Sequence, residues 1–251
     1  MQRRYTEGSR VEKALLKLSG QSVAGPGGKG IDMEAAWKVA SDIKPALSRQ
    51  ADTTIVMGGG GIIRGAIASP EVGPGRIARD RIGMLGTLLG GMALKEGFRE
   101  NGVEAVVMST FAIDPNYAEQ YTYDRAMRHL ANHKVVIVTG GLNQPLFSTD
   151  TISAQLAIEL GCSALYVAKR GTKLRGIHSA DPETDVDAEY LDHVTHQDVL
   201  DRKLKVLDGS AVSMCRDHNM PIIVFPMRNL NLALAQNFSG RRVGSLVTVE
   251  L

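Results

Sequence analysis

A run of four glycines follows an apolar segment in the first quarter of the chain. Thr53 to Met57 is rich in β-favouring residues, Gly58–Gly61 follows it directly, and Arg64 comes three residues later. Because glycine lacks a Cβ, such a turn can bend sharply and bring backbone N–H groups close to a ligand. A strand, a glycine turn and a helix often present amides to phosphate oxygens, and an arginine offers a fork of donors to the same anion. The pattern indicates phosphate binding, although a plain strand-to-helix turn has the same glycines.

Two further charged residues lie at predicted strand ends. Lys17 comes at the end of Val11 to Leu18, the predicted first strand, and Asp150 opens a helix after the buried-looking strand Lys134 to Thr139. Ligands of parallel α/β sheets bind beyond the carboxyl ends of the strands, where a lysine can bridge phosphates. Two plainer interpretations stay open: Lys17 as a solvated edge residue and Asp150 as a simple helix cap.

A polar segment follows the fifth predicted strand, Ser163 to Ala168. It carries Thr172, His178 and Asp181 within a glycine-broken stretch that is typical of a hairpin or flap. Ala180-Asp181-Pro182 alone is an ordinary turn sequence.

The composition excludes several classes of function. A net charge of +2 and 5% aromatic residues give no electrostatic or stacking surface for nucleic acid. No apolar stretch approaches the length of a membrane span, and the polar start has no signal-peptide core. The two cysteines, Cys162 and Cys215, and the six histidines lack a convincing metal-ligand spacing, so we expect no structural metal and a reducing cytoplasm.

Predicted strands alternate with predicted helices along the chain. This order indicates an α/β fold, a three-layer αβα sandwich with a mostly parallel central sheet. We expect a flexible N-terminus over residues 1–10 and a single domain over 11–251. Its acceptor lobe would run over about residues 11–165 and its nucleotide lobe over about 166–251.

Taken in order along the chain, these motifs resemble those of one known family. From Val11 to Val249 the chain resembles the bacterial uridylate kinases of the amino-acid-kinase fold. The matching segments are Lys17-Leu18-Ser19-Gly20, Gly58-Gly59-Gly60 with Arg64-Gly65, Asp80 with Gly83-Met84-Leu85, Pro145 with Phe147 to Thr151, Ala180-Asp181-Pro182, Lys205 to Asp208, and Arg216-Asp217-His218 with Pro221-Ile222.

The resemblance implies ATP- and Mg²⁺-dependent phosphoryl transfer to a nucleoside monophosphate, most simply UMP to UDP, by a homo-oligomer, a hexamer in this family. It implies three groups of site residues. Catalysis would use Lys17, Arg64 and Asp150. ATP would contact Lys17, Leu18, Ser19, Gly20, Gly60, Arg64, Thr172, His178 and Asp181. The acceptor would contact Gly59, Asp80, Leu142, Asn143, Gln144, Pro145, Leu146, Phe147, Ser148 and Thr149.

The chain differs from the family's usual pattern in its acceptor loop and after its glycines. The loop usually reads Gly-Thr-Gly-Asn-Pro-Phe-Phe, whereas residues 141–147 here read Gly-Leu-Asn-Gln-Pro-Leu-Phe, and Gly61 stands where Asn is usual. We therefore predict that Leu142, Asn143 and Gln144 set the acceptor preference. Two alternatives stay open: a kinase of this fold with a different small acceptor, and a non-catalytic assembly that binds or stores nucleotides or oxyanions.

Overall fold

The computed structural model describes residues 4–47, 51–63, 75–205 and 207–250, except for the side chains of residues 62 and 63. The chain divides into two compact units. The C-terminal unit consists of Met1–Lys17, Pro45–Ala51 and Asp150–Leu251, and the N-terminal unit of Leu18–Lys44 and Asp52–Thr149. The single-domain interpretation, with its lobe boundary near residue 165, stays a prediction.

The N-terminal unit is built on parallel strands in the order β4-β3-β5-β2. The strands are buried along most of their length, and β5 is buried at all five positions. The elements of this part of the chain are α1 (Met33–Leu47), β2 (Asp52–Met57), α2 (Gly60–Ile63), α3 (Arg76–Glu100), β3 (Ala105–Ser109), β4 (Glu119–Gln120), α4 (Tyr123–Ala131) and β5 (Val135–Thr139).

The C-terminal unit carries strands in the order β1-β6-β10-β11-β9, in which only β10 and β11 pair antiparallel. The short strands β7 and β8 form a separate antiparallel pair, as expected for the hairpin-like segment. The elements are β1 (Lys13–Leu18), α5 (Thr149–Glu159), β6 (Ala164–Lys169), β7 (Ile177–His178), β8 (Tyr190–Leu191), β9 (His193–Thr195), α6 (His196–Asp201), α7 (Gly209–Asp217), β10 (Ile222–Pro226), α8 (Leu230–Phe238) and β11 (Ser245–Thr248).

The predicted α/β fold class, with a mostly parallel sheet, is confirmed. In the part of the chain that the structure describes, the main strands of each unit pair mostly in parallel. In the same part of the chain, no helix combines the length and the apolar character that a membrane crossing requires.

The N-terminal segment has specific contacts in the C-terminal unit. The Tyr5 amide donates to the Ser163 carbonyl at 2.8 Å, and the Arg4 guanidinium donates to the carbonyls of Cys162 and His218, each at 3.1 Å. The predicted flexibility of residues 1–10 stays a prediction.

Helix α3 contains many glycines because it packs closely inside the N-terminal unit. A Cβ on Gly97 would lie 2.6 Å from the Ala36 carbonyl oxygen of α1, and one on Gly91 would lie 2.5 Å from a methyl group of Thr139 in β5. The buried glycines of α3 therefore serve internal packing. Its exposed residues include three large apolar side chains, Ile82, Leu85 and Leu89, each about half exposed.

Both cysteines are reduced and buried, so we expect them to react slowly with thiol reagents. Burial raises the pKa of the Cys215 thiol to about 12. Only about one molecule in 10⁴ then carries the reactive thiolate at pH 8. Ellman's reagent should titrate neither Cys162 nor Cys215 rapidly in the native protein and both at once in denaturant. Fast reaction of either thiol before unfolding would contradict the buried placement.

Candidate active site

The turn after β2 is held by direct contact between backbones. The Gly58 amide donates to the Leu18 carbonyl at 2.8 Å. A Cβ on Gly20 would lie 2.2 Å from the Gly58 carbonyl oxygen, and one on Gly59 would lie 2.4 Å from the Gly83 carbonyl oxygen. Since real Cβ atoms do not approach so closely, these positions require glycine for packing alone.

Gly61, one of the differences from the family's usual pattern, has the same explanation. Its Cβ would lie 2.6 Å from the Gly20 carbonyl oxygen and 3.1 Å from the Ala24 side chain. In this chain, the turn therefore has room only for glycine at position 61.

Gly60 is different, because a Cβ there would meet nothing within 4 Å. Packing within the described protein does not explain this glycine. An open space beside the backbone at the carboxyl end of a parallel strand is where a phosphate would approach.

The other predicted phosphate-binding residues lie nearby in sequence. Leu18 is fully buried, and the Ser19 side chain accepts a hydrogen bond from the Gln21 amide at the start of a 3₁₀ turn. Their contribution to a ligand would therefore come chiefly from the backbone. Arg64 and Gly65 lie outside the described residues.

Lys17 and Asp150 form an ion pair in the C-terminal unit. Lys17 Nζ lies 2.9 Å from Asp150 Oδ1, and each side chain is only 15% exposed. Asp150 belongs to the first turn of α5, where the helix dipole favours a carboxylate. At this burial, removing either partner leaves the other charge poorly compensated.

Lys169 joins this pair and was missed by the sequence analysis. Burial lowers the pKa of its ammonium group; the Asp150 carboxylate opposes that shift, and the Lys17 charge adds to it. Lys169 ends β6, which runs parallel to β1, so both strands carry a lysine at their carboxyl ends. A lysine at the end of a second predicted strand is the sequence feature that could have indicated Lys169.

A cavity of about 530 Å³ lies in the C-terminal unit next to Lys169. His178 and Asp181, both predicted ATP contacts, line it, and the Nδ1 atom of His178 is buried without a hydrogen-bond partner among the described residues. The wall combines apolar side chains with charged ones. Its apolar members are Leu174, Ile177, Leu204 and Val224, its basic members Lys169, Arg170, Lys203 and Lys205, and its acidic members Asp181, Glu183 and Asp185.

Thr172, the third predicted residue of this group, contacts the cavity wall through Glu183. Its hydroxyl donates to Glu183 Oε2 at 2.8 Å, and the Lys173 amide donates to Oε1 at 2.8 Å. These hydrogen bonds lower the pKa of the Glu183 carboxyl, the Lys173 amide having the larger effect. Thr172 therefore shapes the wall and does not, in this geometry, point a free hydroxyl into the cavity.

The predicted acceptor residues gather in the N-terminal unit. Asp80 of α3 accepts a hydrogen bond from the Leu146 amide at 2.8 Å and lies 3.7 Å from the Arg76 guanidinium. Leu146 and Phe147 are more than half exposed. The structure thus brings together Asp80 and the segment Leu142, Asn143, Gln144, Pro145, Leu146, Phe147, Ser148 and Thr149, which ends at the start of α5.

Asn143 has a left-handed backbone, with φ = 56°. The family usually has glycine at this position, and asparagine is among the few residues that adopt this conformation readily. The exchange of Gly for Asn therefore preserves the backbone of the loop. Leu142, Gln144 and Leu146 are left as the differences that can alter its chemistry.

The chain belongs to the Amino acid kinase family, whose profile matches residues 12–226. It is 39% identical to the uridylate kinase of Brucella anthropi over 230 residues, covering 92% of this chain and 93% of that protein. It is 40% identical to the uridylate kinase of Rhizobium johnstonii over 214 residues, covering 85% and 87%.

Solved structures agree with this assignment. The UMP kinase from Bacillus anthracis matches with a TM-score of 0.89 and 31% identity, covering 97% of this chain and 98% of that one. The UMP kinase from Ureaplasma parvum matches with a TM-score of 0.85 and 26% identity, covering 96% and 100%. The resemblance to the bacterial uridylate kinases is confirmed.

Substitutions at Gly20 and Gly60 separate glycine needed for packing from glycine needed for a ligand. Gly20→Ala should lower the melting temperature markedly, because its Cβ would overlap the Gly58 carbonyl. Gly60→Ala should melt within a few degrees of the parent but lose at least about tenfold in kcat/KM for ATP, if its methyl group enters the space predicted for the phosphates. Full activity of a stable Gly60→Ala protein would contradict a phosphate site there.

Proposed function

We propose that this chain transfers the γ-phosphoryl group of ATP to UMP and so forms ADP and UDP. The buried Lys17–Asp150 pair with Lys169 beside it is the observation that carries this proposal, because it gathers cations at the carboxyl ends of parallel strands. Relatives with the printed names uridylate kinase and UMP kinase match nearly the whole chain and support the same reaction. Neither the non-catalytic assembly nor a different acceptor has comparable support.

In the reaction, an oxygen of the UMP phosphate forms a bond to the γ-phosphorus while the bond from that phosphorus to the bridging oxygen of ADP breaks. Such transfer needs positioning and charge neutralisation more than covalent help from the protein. Lys17 and Lys169 would neutralise phosphate oxygens as point charges. Asp150 would orient the Lys17 ammonium group through their ion pair, and its charge opposes the lowering of the Lys169 pKa by burial.

Magnesium would enter with the nucleotide. Mg²⁺ in such sites binds one or two carboxylates together with phosphates and water, and Asp150 fits the carboxylate part of that set. Among the described residues, no group of three acidic, histidine or cysteine side chains is arranged to hold a metal ion by itself, so the proposal has the nucleotide supply most of the ligands. When bound, the ion would supply further neutralisation of charge on the phosphates.

The cavity of the C-terminal unit would hold the ATP base and ribose. Its apolar side chains suit the base, and His178 Nδ1 and the Asp181 carboxylate offer hydrogen bonds. In the N-terminal unit, Gly59, Asp80 and residues 142–149 would hold the acceptor.

We further place the protein in the cytoplasm as a homo-oligomer, a hexamer by family resemblance. The row of Ile82, Leu85 and Leu89 on α3 supports self-association, because these side chains lie about half exposed on one helix. Two reduced cysteines and nucleotide substrates fit a reducing compartment.

Asp150→Asn tests the catalytic assignment. Asparagine caps a helix about as well as aspartate but cannot balance two ammonium groups, so turnover of UMP with ATP and Mg²⁺ should fall about 10²-fold with the fold intact. Asp198→Asn is the matched control, because Asp198 lies in the first turn of α6 in the same unit, where it completes the capping box with Thr195, and should tolerate the change. If both variants are as active as the parent, Asp150 only caps the helix and has no catalytic role. Failure of the parent protein to convert UMP, with other acceptors used, would overturn the proposed substrate.

The acceptor loop should control specificity more than rate. We expect the triple variant Leu142→Thr, Asn143→Gly and Gln144→Asn to raise kcat/KM for UMP relative to CMP, with the KM for ATP unchanged. Asn143→Gly alone is the control and should change little, because the loop backbone already has a left-handed residue there. Unchanged acceptor ranking in the triple variant would assign recognition to the backbone instead.

A further inference from the structure

Thr87 makes a polar contact that packing of α3 does not require. Thr87 is 2% exposed, and its hydroxyl donates to the Met84 carbonyl within the helix at 2.7 Å. The same oxygen accepts a hydrogen bond from the Gly140 amide at 2.6 Å, and this contact is buried. The hydroxyl is thereby oriented by the helix so that its lone pair faces the first residue after β5.

Gly140 begins the acceptor loop and has little room to move. Its φ is 93°, and a Cβ there would lie 2.4 Å from Thr110 Oγ1 and 2.9 Å from the Phe111 ring. The position where the loop leaves β5 is therefore set by this close packing and by the Thr87 hydroxyl.

The loop itself has an unusual backbone. Gly141, Asn143 and Leu146 also have positive φ values, of 59°, 56° and 75°. Left-handed conformations are unfavourable for residues with a side chain, and for leucine especially, so surrounding contacts must hold them.

Those contacts come from two positions on one helix. Thr87 holds the Gly140 amide, and Asp80 holds the Leu146 amide at 2.8 Å. The two residues are seven positions apart, which places them two turns apart on the same side of an α-helix. Helix α3 therefore holds the backbone at Gly140, directly before the acceptor loop, and again at Leu146, near the end of that loop.

We infer that Thr87 is a positioning residue for the acceptor: through Gly140 it sets the loop geometry that binds the monophosphate. The inference rests on the proposed function, since that function makes residues 142–149 the acceptor site. Thr87 itself touches no substrate.

Thr87→Val tests this inference because valine keeps the shape and removes the acceptor oxygen. The Gly140 amide is then buried without a partner, and we expect the KM for UMP to rise about tenfold with the KM for ATP unchanged. Thr87→Ser keeps the oxygen and should restore the parent value. Thr54→Val, a buried threonine of β2 in the same unit, is the matched control and should leave the KM for UMP unchanged.

Three results would overturn the inference: an unchanged KM for UMP in Thr87→Val, an equal rise for UMP and ATP, or failure of Thr87→Ser to restore binding. If the valine variant does not fold, hydrogen exchange of the Gly140 amide in the parent protein tests the inference instead. The Gly140 amide should exchange slowly without substrate, and fast exchange would contradict its contact with Thr87. If the parent protein does not phosphorylate UMP but its Gly140 amide exchanges slowly, the proposed function is wrong, whereas the hydrogen bond between Thr87 and Gly140 is confirmed.

Discussion

The site depends first on a close approach between two backbone turns. Gly20 and Gly58 leave no space for a Cβ between them, and Gly61 continues the same contact toward Gly20. This packing fixes the turn after β2 without any side chain. One glycine of the four, Gly60, has no atom of the described residues within 4 Å of where its Cβ would lie. A rigid backbone with one open position is suited to present amides to an anion without reorganisation.

The charges of the C-terminal unit follow a related constraint. Two lysines at the ends of neighbouring parallel strands repel each other, and burial adds to the cost of both charges. Asp150 offsets these effects from the first turn of α5, where the carboxylate is itself favoured. Both lysines therefore depend on the Asp150 carboxylate, because they disfavour each other's charge. The negative phosphates of a nucleotide would relieve the excess positive charge.

The sequence predicted those features that depend on local pattern. Lys17 and Asp150 could be found because each lies where a strand ends or a helix begins, and the alternation of elements predicted the sheet. Lys169 follows a predicted strand as Lys17 does, but the sequence does not show its burial, which depends on strands β1 and β10 far away in sequence. Thr172 lies in the predicted hairpin-like segment, but the partner of its hydroxyl, Glu183, is eleven residues away and depends on how that segment folds.

Differences from a family pattern need the backbone before they can be interpreted. Gly61 and Asn143 both looked like changes of chemistry, yet one is demanded by a neighbouring carbonyl and the other conserves a left-handed turn. Leu146 shows the opposite case: a hydrophobic residue in a left-handed conformation is unfavourable by itself, and the hydrogen bond from its amide to Asp80 supports it. Asp80 thus has a structural task besides any contact with a ligand. An acceptor that binds the same carboxylate would have to use its second oxygen or compete with the loop, which links acceptor binding to loop conformation.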